Sequence, residues 1–402
     1  MLHDTLRADA RALSDDIITL RRAIHAEPEL GLETPKTLAK VRAALADLPL
    51  EWREGGSCTG AVATLKGTGS AAADPRRVLL RGDMDALPME EATGLPFASR
   101  LAGRMHACGH DTHTAMLAGA ARLLSSKRHE FSGEVHFMFQ PGEEGFHGAR
   151  HMIDDGLLDP LPDAAFALHI MPNSRHGTLA SRSGPLMAAA DQLEISVNGK
   201  GGHASMPHDA ADPVPVAAEI ITALQSLVTR HFNAADAVVI TITQMEAGTA
   251  HNVIADSVKL KGTMRSLSPA NRASLHQSVA RLAEHIAAAH GISAEVTITP
   301  GFPVTINDPR AIALGAKVVQ GQPGGEFVEL PAPIMGAEDF AYVLEQVPGA
   351  MFFLGVAEEG TDWQHCCGIH SNRMMVDESA LPIGTAFLAG CALRFLESGW
   401  EG

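Results

Sequence analysis

Between positions 106 and 113 the sequence crowds three histidines, a cysteine and an aspartate together: His106, Cys108, His110, Asp111 and His113. Imidazole, thiolate and carboxylate bind divalent metals once deprotonated, and Cys108 with His110 forms the heart of the group. Gly109 frees the backbone between them to turn both toward one centre. A polar loop holding one buried cysteine is the bland alternative, and for any single histidine here it is the simpler one; the crowding favours metal. A second set of candidates, Glu143 and Glu144, closes the run Gln140-Pro141-Gly142-Glu143-Glu144. One glutamate of such a pair can hold a metal while its neighbour, pointing elsewhere, acts as a base on water. His169 ends the apolar stretch Ala164-Ala165-Phe166-Ala167-Leu168, and His370 follows Cys366-Cys367-Gly368-Ile369. Spacing alone does not choose these two from the twenty histidines of the chain.

Other residues admit two readings. The glycine-rich run from Gly199 to His208 has neither a dinucleotide-binding nor a P-loop pattern, so a turn between strand and helix that presents His203 is the economical reading. Asn252 and Arg265 could bind a substrate carboxylate, although Arg265 reads equally as a surface charge. Cys108 could instead be a nucleophile with His110 or His106 as its base. Chelation separates these cases, since a cysteine nucleophile survives it and a metal enzyme does not. A metal-binding protein without a reaction is a third reading, which the presence of Glu143 disfavours because storage needs no base.

The elements that must position these groups are legible from periodicity. Helices are expected near 4–25 and 34–47. Strands at 76–83 and 134–139 run directly into Asp83-Met84-Asp85 and Glu143-Glu144, so both deliver carboxylates past a strand's C-terminal end, where open α/β sheets gather their ligands. Met116, Leu117, Ala120, Leu123 and Leu124 form an apolar stripe at helical spacing, which makes Cys108-Gly109-His110 a loop entering a helix. The alternation implies an α/β fold with a largely parallel sheet. From about 186 the order becomes strand, helix, strand, strand, helix, strand (191–198, 212–230, 237–244, 256–266, 269–290, 293–299), the ferredoxin-like βαββαβ unit. An inserted domain at 186–302 follows, with the first domain formed by 1–185 and 303–402; a helix near 309–320, a strand at 350–355 and a closing helix near 377–397 complete it.

Composition narrows the partners. At 402 residues two domains are expected, and a formal charge of −16 opposes binding to nucleic acid or anionic membrane. No uninterrupted apolar run is long enough to span a bilayer, and the first residues lack the order of a secretory signal. Five scattered cysteines make no disulfide framework, which points to a reducing, cytoplasmic compartment. Cys366 and Cys367 read as ordinary loop or packing residues.

Taken in order, the motifs resemble the dinuclear-metal aminoacylase/carboxypeptidase family, in the amidohydrolase branch that includes hippurate hydrolases, N-acyl-L-amino-acid amidohydrolases and indole-acetyl-amino-acid hydrolases. The markers are Arg-Gly-Asp-Met-Asp-Ala-Leu-Pro at 81–88, Met-His-Ala-Cys-Gly-His-Asp at 105–111, Gln-Pro-Gly-Glu-Glu-Gly at 140–145 and Leu-His-Ile at 168–170. Gly-His-Ala-Ser-Met-Pro-His at 202–208, Asn-Val-Ile at 252–254, Gly-Ala-Glu-Asp-Phe at 336–340 and Ile-His-Ser at 369–371 extend the match over nearly the whole chain. Each is short; their order and spacing carry the resemblance. It implies a zinc-peptidase-like αβα catalytic domain whose inserted domain serves as lid and dimerisation surface, making a homodimer or a dimer-based oligomer. It further implies two divalent ions per subunit (Zn, or Mn, Co or Ni) on Cys108, His110, Glu144, His169 and His370. Glu143 would be the general acid/base, Asp85 a carboxylate behind the ligands, His203 the oxyanion partner, and Asn252 and Arg265 neighbours of the substrate carboxylate. The implied substrate is a small N-acyl amino acid of hippurate type, with a dipeptide or N-acetyl-diaminopimelate as alternatives. Two residues depart from the family pattern: Ala337 stands where many relatives have Ser, which could alter the pocket, and Gly82 where Ala is frequent, which reads as benign.

Overall fold

The computed structural model describes residues 5–70, 75–358, 360–362, 364–365 and 367–401. Its contacts divide the chain into two units, one formed by Met1–Leu186, Ile306–Ala332 and Asp339–Gly402 and the other by Met187–Thr305 with Pro333–Glu338.

The first unit opens with helices α1 (Leu6–Ala12), α2 (Ser14–His25) and α3 (Pro35–Ala44). The single helix expected over 4–25 is two. The N–H of Leu13 bonds back to the carbonyl of Ala10, a tighter turn that re-aims the chain so that Leu6 and Ala10, then Ile17, Leu20 and Ile24, all reach the core. Strands β1 (Glu51–Glu54), β2 (Ala61–Lys66) and β3 (Arg77–Asp83) follow, then α4 (His110–Ser126), β4 (Glu134–Gln140), the short α5 (Gly148–Asp154), β5 (Ala164–Met171) and β6 (Thr178–Ser181). After the inserted unit come α8 (Pro309–Gln320), strands Glu326–Glu329 and Gly349–Gly355, and the closing helix Leu381–Ser398.

The eight strands form one sheet in the order β1-β2-β4-β3-β5, then Gly349–Gly355, β6 and Glu326–Glu329. The expected parallel core is present, because β4, β3, β5 and Gly349–Gly355 run parallel to one another. The sheet as a whole is mixed. β1 pairs antiparallel to β2, and β2 antiparallel to β4. Only a short loop separates β1 from β2, too little chain for the crossover that a parallel pair needs. β5 is buried at Ala164, Phe166 and Leu168, while α4 and the closing helix are buried along nearly their whole length. Among the described residues the segment Glu378–Glu401 is long and apolar enough to cross a membrane, yet 89% of its apolar window is buried within the protein, as befits a core helix.

The second unit is the expected βαββαβ arrangement. Its four antiparallel strands lie in the order Val238–Ala247, Ser257–Ser266, Ala189–Asn198, Ser293–Pro300. Helices α6 (Pro213–His231) and α7 (Pro269–Ala289) cover one face through Val216, Ile220 and Leu224 and through Leu275, Val279 and Ala283. Both begin at a side-chain cap followed by proline, Asp212 before Pro213 and Ser268 before Pro269.

In the first unit a buried charge cluster joins α2 to the start of α4. Arg21 Nε donates to Asp111 Oδ2 at 2.7 Å, and His25 Nδ1 lies 2.8 Å from the same oxygen. His25 Nε2 faces Glu91 Oε1 at 3.2 Å, so both ring nitrogens meet carboxylates and both carry protons. Burial opposes that charge, but Asp111 and then Glu91 outweigh it and raise the His25 pKa to about 9. A pKa raised above its ordinary 6.5 stabilises the fold fully below that value and loses its contribution, roughly 3 kcal/mol, as pH rises through 9. The midpoint of thermal unfolding should therefore fall between pH 7 and about 9.5 more steeply in the wild type than in His25→Gln. Parallel curves for the two proteins would contradict the pairing.

Candidate metal centre

The centre lies where the C-terminal ends of β3, β4 and β5 meet the start of α4. α4 begins at His110, directly after Gly109 at φ 89°, and a Cβ on Gly109 would stand 2.5 Å from the Ile170 side chain. Only glycine fits there, and it sets the angle between Cys108 in the loop and His110 in the helix. At Gly82, a departure from the family pattern, a Cβ would meet the His113 carbonyl of α4 at 2.9 Å. Glycine lets α4 lie close against β3.

Two sets of candidate ligand atoms overlap at one sulfur. Cys108, His110 and His169 form one set, and Cys108, Glu144 and His370 the other, with the atoms of each within 4.8 Å of one another. A third set, His110 with Glu143 and Glu144, brings the glutamate pair to the same place. Five residues expected to hold metal and the expected base therefore converge from four separate stretches of chain. The donors are prepared for a cation. Both ring nitrogens of His110 and Glu144 Oε1 are buried without a hydrogen-bond partner, a costly state that a metal ion would relieve. His169 donates Nδ1–H to the Ile170 carbonyl at 2.6 Å, which leaves Nε2 as a lone pair 3.3 Å from Cys108 Sγ. Burial, helped by His113, holds the His169 pKa well below its ordinary value, so this imidazole is neutral. Burial pushes the Cys108 thiol up to about 12, against the pull of His110, so ligation there releases a proton.

The surroundings are anionic. Burial disfavours a charged His110, yet Asp83 leads its neighbours in raising its pKa well above the ordinary value. The same field attracts a divalent cation. Glu144 Oε1 stands 3.5 Å from His370 Nε2 and 3.9 Å from His110 Nε2, whereas Glu143 comes no nearer His110 than 4.0 Å. Burial works against ionised Glu144, but His370 and His110 keep its pKa lowered.

Residues behind the ligands complete the picture. Asp85 accepts the backbone N–H of Glu143 at 2.9 Å and of Glu144 at 3.1 Å, and its Oδ1 lies 3.4 Å from His110 Nδ1. One carboxylate thus fixes the glutamate loop and places its negative charge beside the first helical ligand. In Asp85→Asn the amide nitrogen would face a backbone donor and one of these bonds would be lost. Turnover and metal retention should fall about 10–100-fold, the usual cost of an outer partner. Unchanged metal retention and turnover would remove Asp85 from this role.

Sequence reasoning missed the work of Asp83, Arg81 and His113. His113 donates Nδ1–H to Asp83 at 2.7 Å while its Nε2 accepts the N–H of Ile170 at 2.8 Å, so both nitrogens are occupied and it serves as a spacer between β3 and β5. Arg81, 1% exposed, ties Asp83 to Gln140 and Asp339. The alternation Arg81-Gly82-Asp83-Met84-Asp85 was the available signal, because it brings charges directly after the buried apolar run Val78-Leu79-Leu80. His106 is buried with neither nitrogen hydrogen-bonded. Cys366 lies outside the described residues, and Cys367, expected to be an ordinary packing residue, is disulfide-bonded.

The remaining candidates belong to the inserted unit. His203 lies on the two-residue strand Gly202–His203, paired with Val253–Ile254, and Ala204 N–H bonds to the Asn252 carbonyl at 3.1 Å. His203 and Asn252 are neighbours in this way. Arg265 is on a different sheet, in Ser257–Ser266, and makes no ion pair among the described residues.

Comparison with known proteins gives a consistent result. Residues 79–394 match the model of Peptidase family M20/M25/M40. An IAA-amino acid hydrolase of Arabidopsis thaliana is 38% identical over 95% of this chain and 86% of its own length. The N-acetylcysteine deacetylase of Bacillus subtilis is 37% identical over 96% of this chain and 99% of its own. A crystal structure of a dinuclear metal binding peptidase from Bacillus subtilis superposes with a TM-score of 0.83 at 34% identity, covering 96% of this chain and 99% of that one.

Proposed function

Because the chain belongs to peptidase family M20/M25/M40, we propose that it is a metal-dependent amidohydrolase that cleaves N-acyl-L-amino acids of hippurate type to a carboxylic acid and a free amino acid. The convergence of Cys108, His110, Glu144, His169 and His370 beside Glu143 carries the reading. The chemistry of the donors fits two divalent ions, with Cys108 offered to both sets; thiolate favours zinc on softness, while imidazole and carboxylate also accept Mn, Co or Ni. Lewis-acid polarisation of the scissile carbonyl and activation of water are what such a pair supplies when bound.

The residues of the chain do the rest. Glu143 takes a proton from the water that attacks the amide carbonyl. As the carbon–nitrogen bond breaks it returns that proton to the leaving amine. Asp85 keeps the Glu143–Glu144 loop in register with His110 through the two backbone N–H bonds. His203 is assigned to the developing oxyanion, and Asn252 and Arg265 to the substrate carboxylate. For Arg265 the support is a half-buried guanidinium that donates to the Met264 carbonyl at 3.4 Å and makes no ion pair among the described residues, a cation open to an anionic ligand. The inserted unit is assigned the roles of lid and dimerisation surface, and the compartment is the cytoplasm.

Hydrolysis rates on N-benzoylglycine, N-acetyl-amino acids and indole-acetyl-amino acids, set beside dipeptides and N-acetyl-diaminopimelate, test the substrate class. N-acyl amino acids should give the highest kcat/KM. A preference for dipeptides by tenfold or more would make the protein a dipeptidase on the same machinery.

A further inference from the structure

We propose that Arg21 is a positioning residue, a buried hub that sets the spacing between the two ligand-bearing segments at 105–111 and 367–378 and thereby how tightly the centre grips its ions. The inference rests on the metal assignment above. Arg21 sits on α2, outside every ligand segment, and is 2% exposed. Its guanidinium is a bridge: Nε donates to Asp111 Oδ2 at 2.7 Å and Nη1 to Glu378 Oε1 at 3.0 Å. Asp111 is the residue after His110 in the first turn of α4. Glu378 opens the short turn that follows the His370 segment. One planar cation therefore holds both segments, which a point charge such as lysine cannot do with the same geometry.

Little else fixes Asp111. Its Oδ2 is shared by Arg21 and His25, and its Oδ1 is buried without a partner. His370 depends on the other segment for its own position. Its backbone is at φ 64°, unusual for a residue with a side chain, and its N–H donates to the Ala107 carbonyl at 2.7 Å. A second route runs in parallel from His25 through Glu91 to the loop in which the Ala92 N–H bonds to the Asn372 carbonyl at 2.8 Å. The charges in this cluster compensate each other: Arg21 and His25 face Asp111 and Glu91, while Arg22 shares Glu378 with Arg21 through an Nε bond of 3.1 Å. Removing the Arg21 charge leaves buried Asp111 short of a partner next to the ligand His110, and the loop and the His370 segment lose their common anchor.

Cobalt binding provides the test, because Co²⁺ on a thiolate gives a charge-transfer band that reports ligand geometry independently of turnover. Full-length wild type, Arg21→Met and Arg21→Lys are stripped of metal, titrated with Co²⁺ alone against a competing chelator, and followed by absorption and by thermal unfolding. Arg21→Met should bind Co²⁺ about tenfold more weakly, the scale of outer-partner effects, with an altered thiolate band; Arg21→Lys should lie between it and the wild type. A lowered unfolding midpoint with wild-type Co²⁺ affinity and an unchanged band would make Arg21 a packing residue and overturn the proposal. Should Arg21→Met fail to fold, His25→Gln, which removes the second anchor of Asp111 Oδ2, is read by the same criteria. A wild type that shows no thiolate–cobalt band removes the metal centre itself, a result distinguishable from an intact band that is indifferent to Arg21.

Discussion

Glu143→Gln should reduce turnover of an N-acyl amino acid by about 10²–10⁴-fold while the protein keeps its full complement of metal. The amide preserves shape and one acceptor but cannot carry a proton from water to the leaving amine. The backbone N–H of Glu143 to Asp85, which the substitution leaves in place, keeps the loop in position. The two glutamates are separable by this experiment. Glu144 faces His370 and Cys108, so Glu144→Gln should lose metal along with activity. Near-normal turnover in Glu143→Gln would sink its assignment as the base, and loss of metal in that variant would exchange the roles of the pair.

Cys108→Ala should strip metal from the protein and lower hydrolysis by more than about 10²-fold, beyond what outer partners cost. The sulfur belongs to both sets of ligand atoms, so its removal weakens two positions at once. Two of the remaining ligands, His110 and His169, are buried and Glu144 is half-buried, so none of the three is a flexible surface chain that could close over the gap. The nucleophile reading makes the opposite forecast for metal: a cysteine that attacks substrate can be lost without any change in metal content. Metal analysis by mass spectrometry on wild type and variant decides between them, and an unchanged stoichiometry would take Cys108 out of the centre.

Much of the architecture was legible because it rests on local patterns. The βαββαβ order of the inserted unit, the strands that end at Asp83 and before Glu143, and the loop at Cys108-Gly109-His110 entering α4 all follow from apolar periodicity and turn residues. β1 was not legible, since Glu-Trp-Arg-Glu is a short edge strand whose single apolar residue, Trp52, makes no periodic pattern. The site divides along the same line. Cys108, His110 and the glutamate pair stand out by crowding alone, but His169 and His370 look like ordinary histidines until the fold brings them to Cys108 and Glu144. The supporting charges were invisible for a stronger reason. Arg21 and Asp111 are 90 positions apart, and Arg21 and Glu378 are 357 apart. No local pattern announces a pairing whose value comes from burial, because the same arginine on an exposed helix face would be a solvated charge.

Reconstitution of the chelated protein tests the central claim most directly. Protein stripped of metal is titrated with Zn²⁺ or Co²⁺ while hydrolysis of N-benzoylglycine and N-acetyl-amino acids is followed and bound metal is counted. Activity should be absent at the start, rise with added ion and saturate at two ions per chain. Full activity in the metal-free protein, or bound metal with no hydrolysis of any N-acyl amino acid or dipeptide, would contradict a two-metal amidohydrolase built on Cys108, His110, Glu144, His169 and His370.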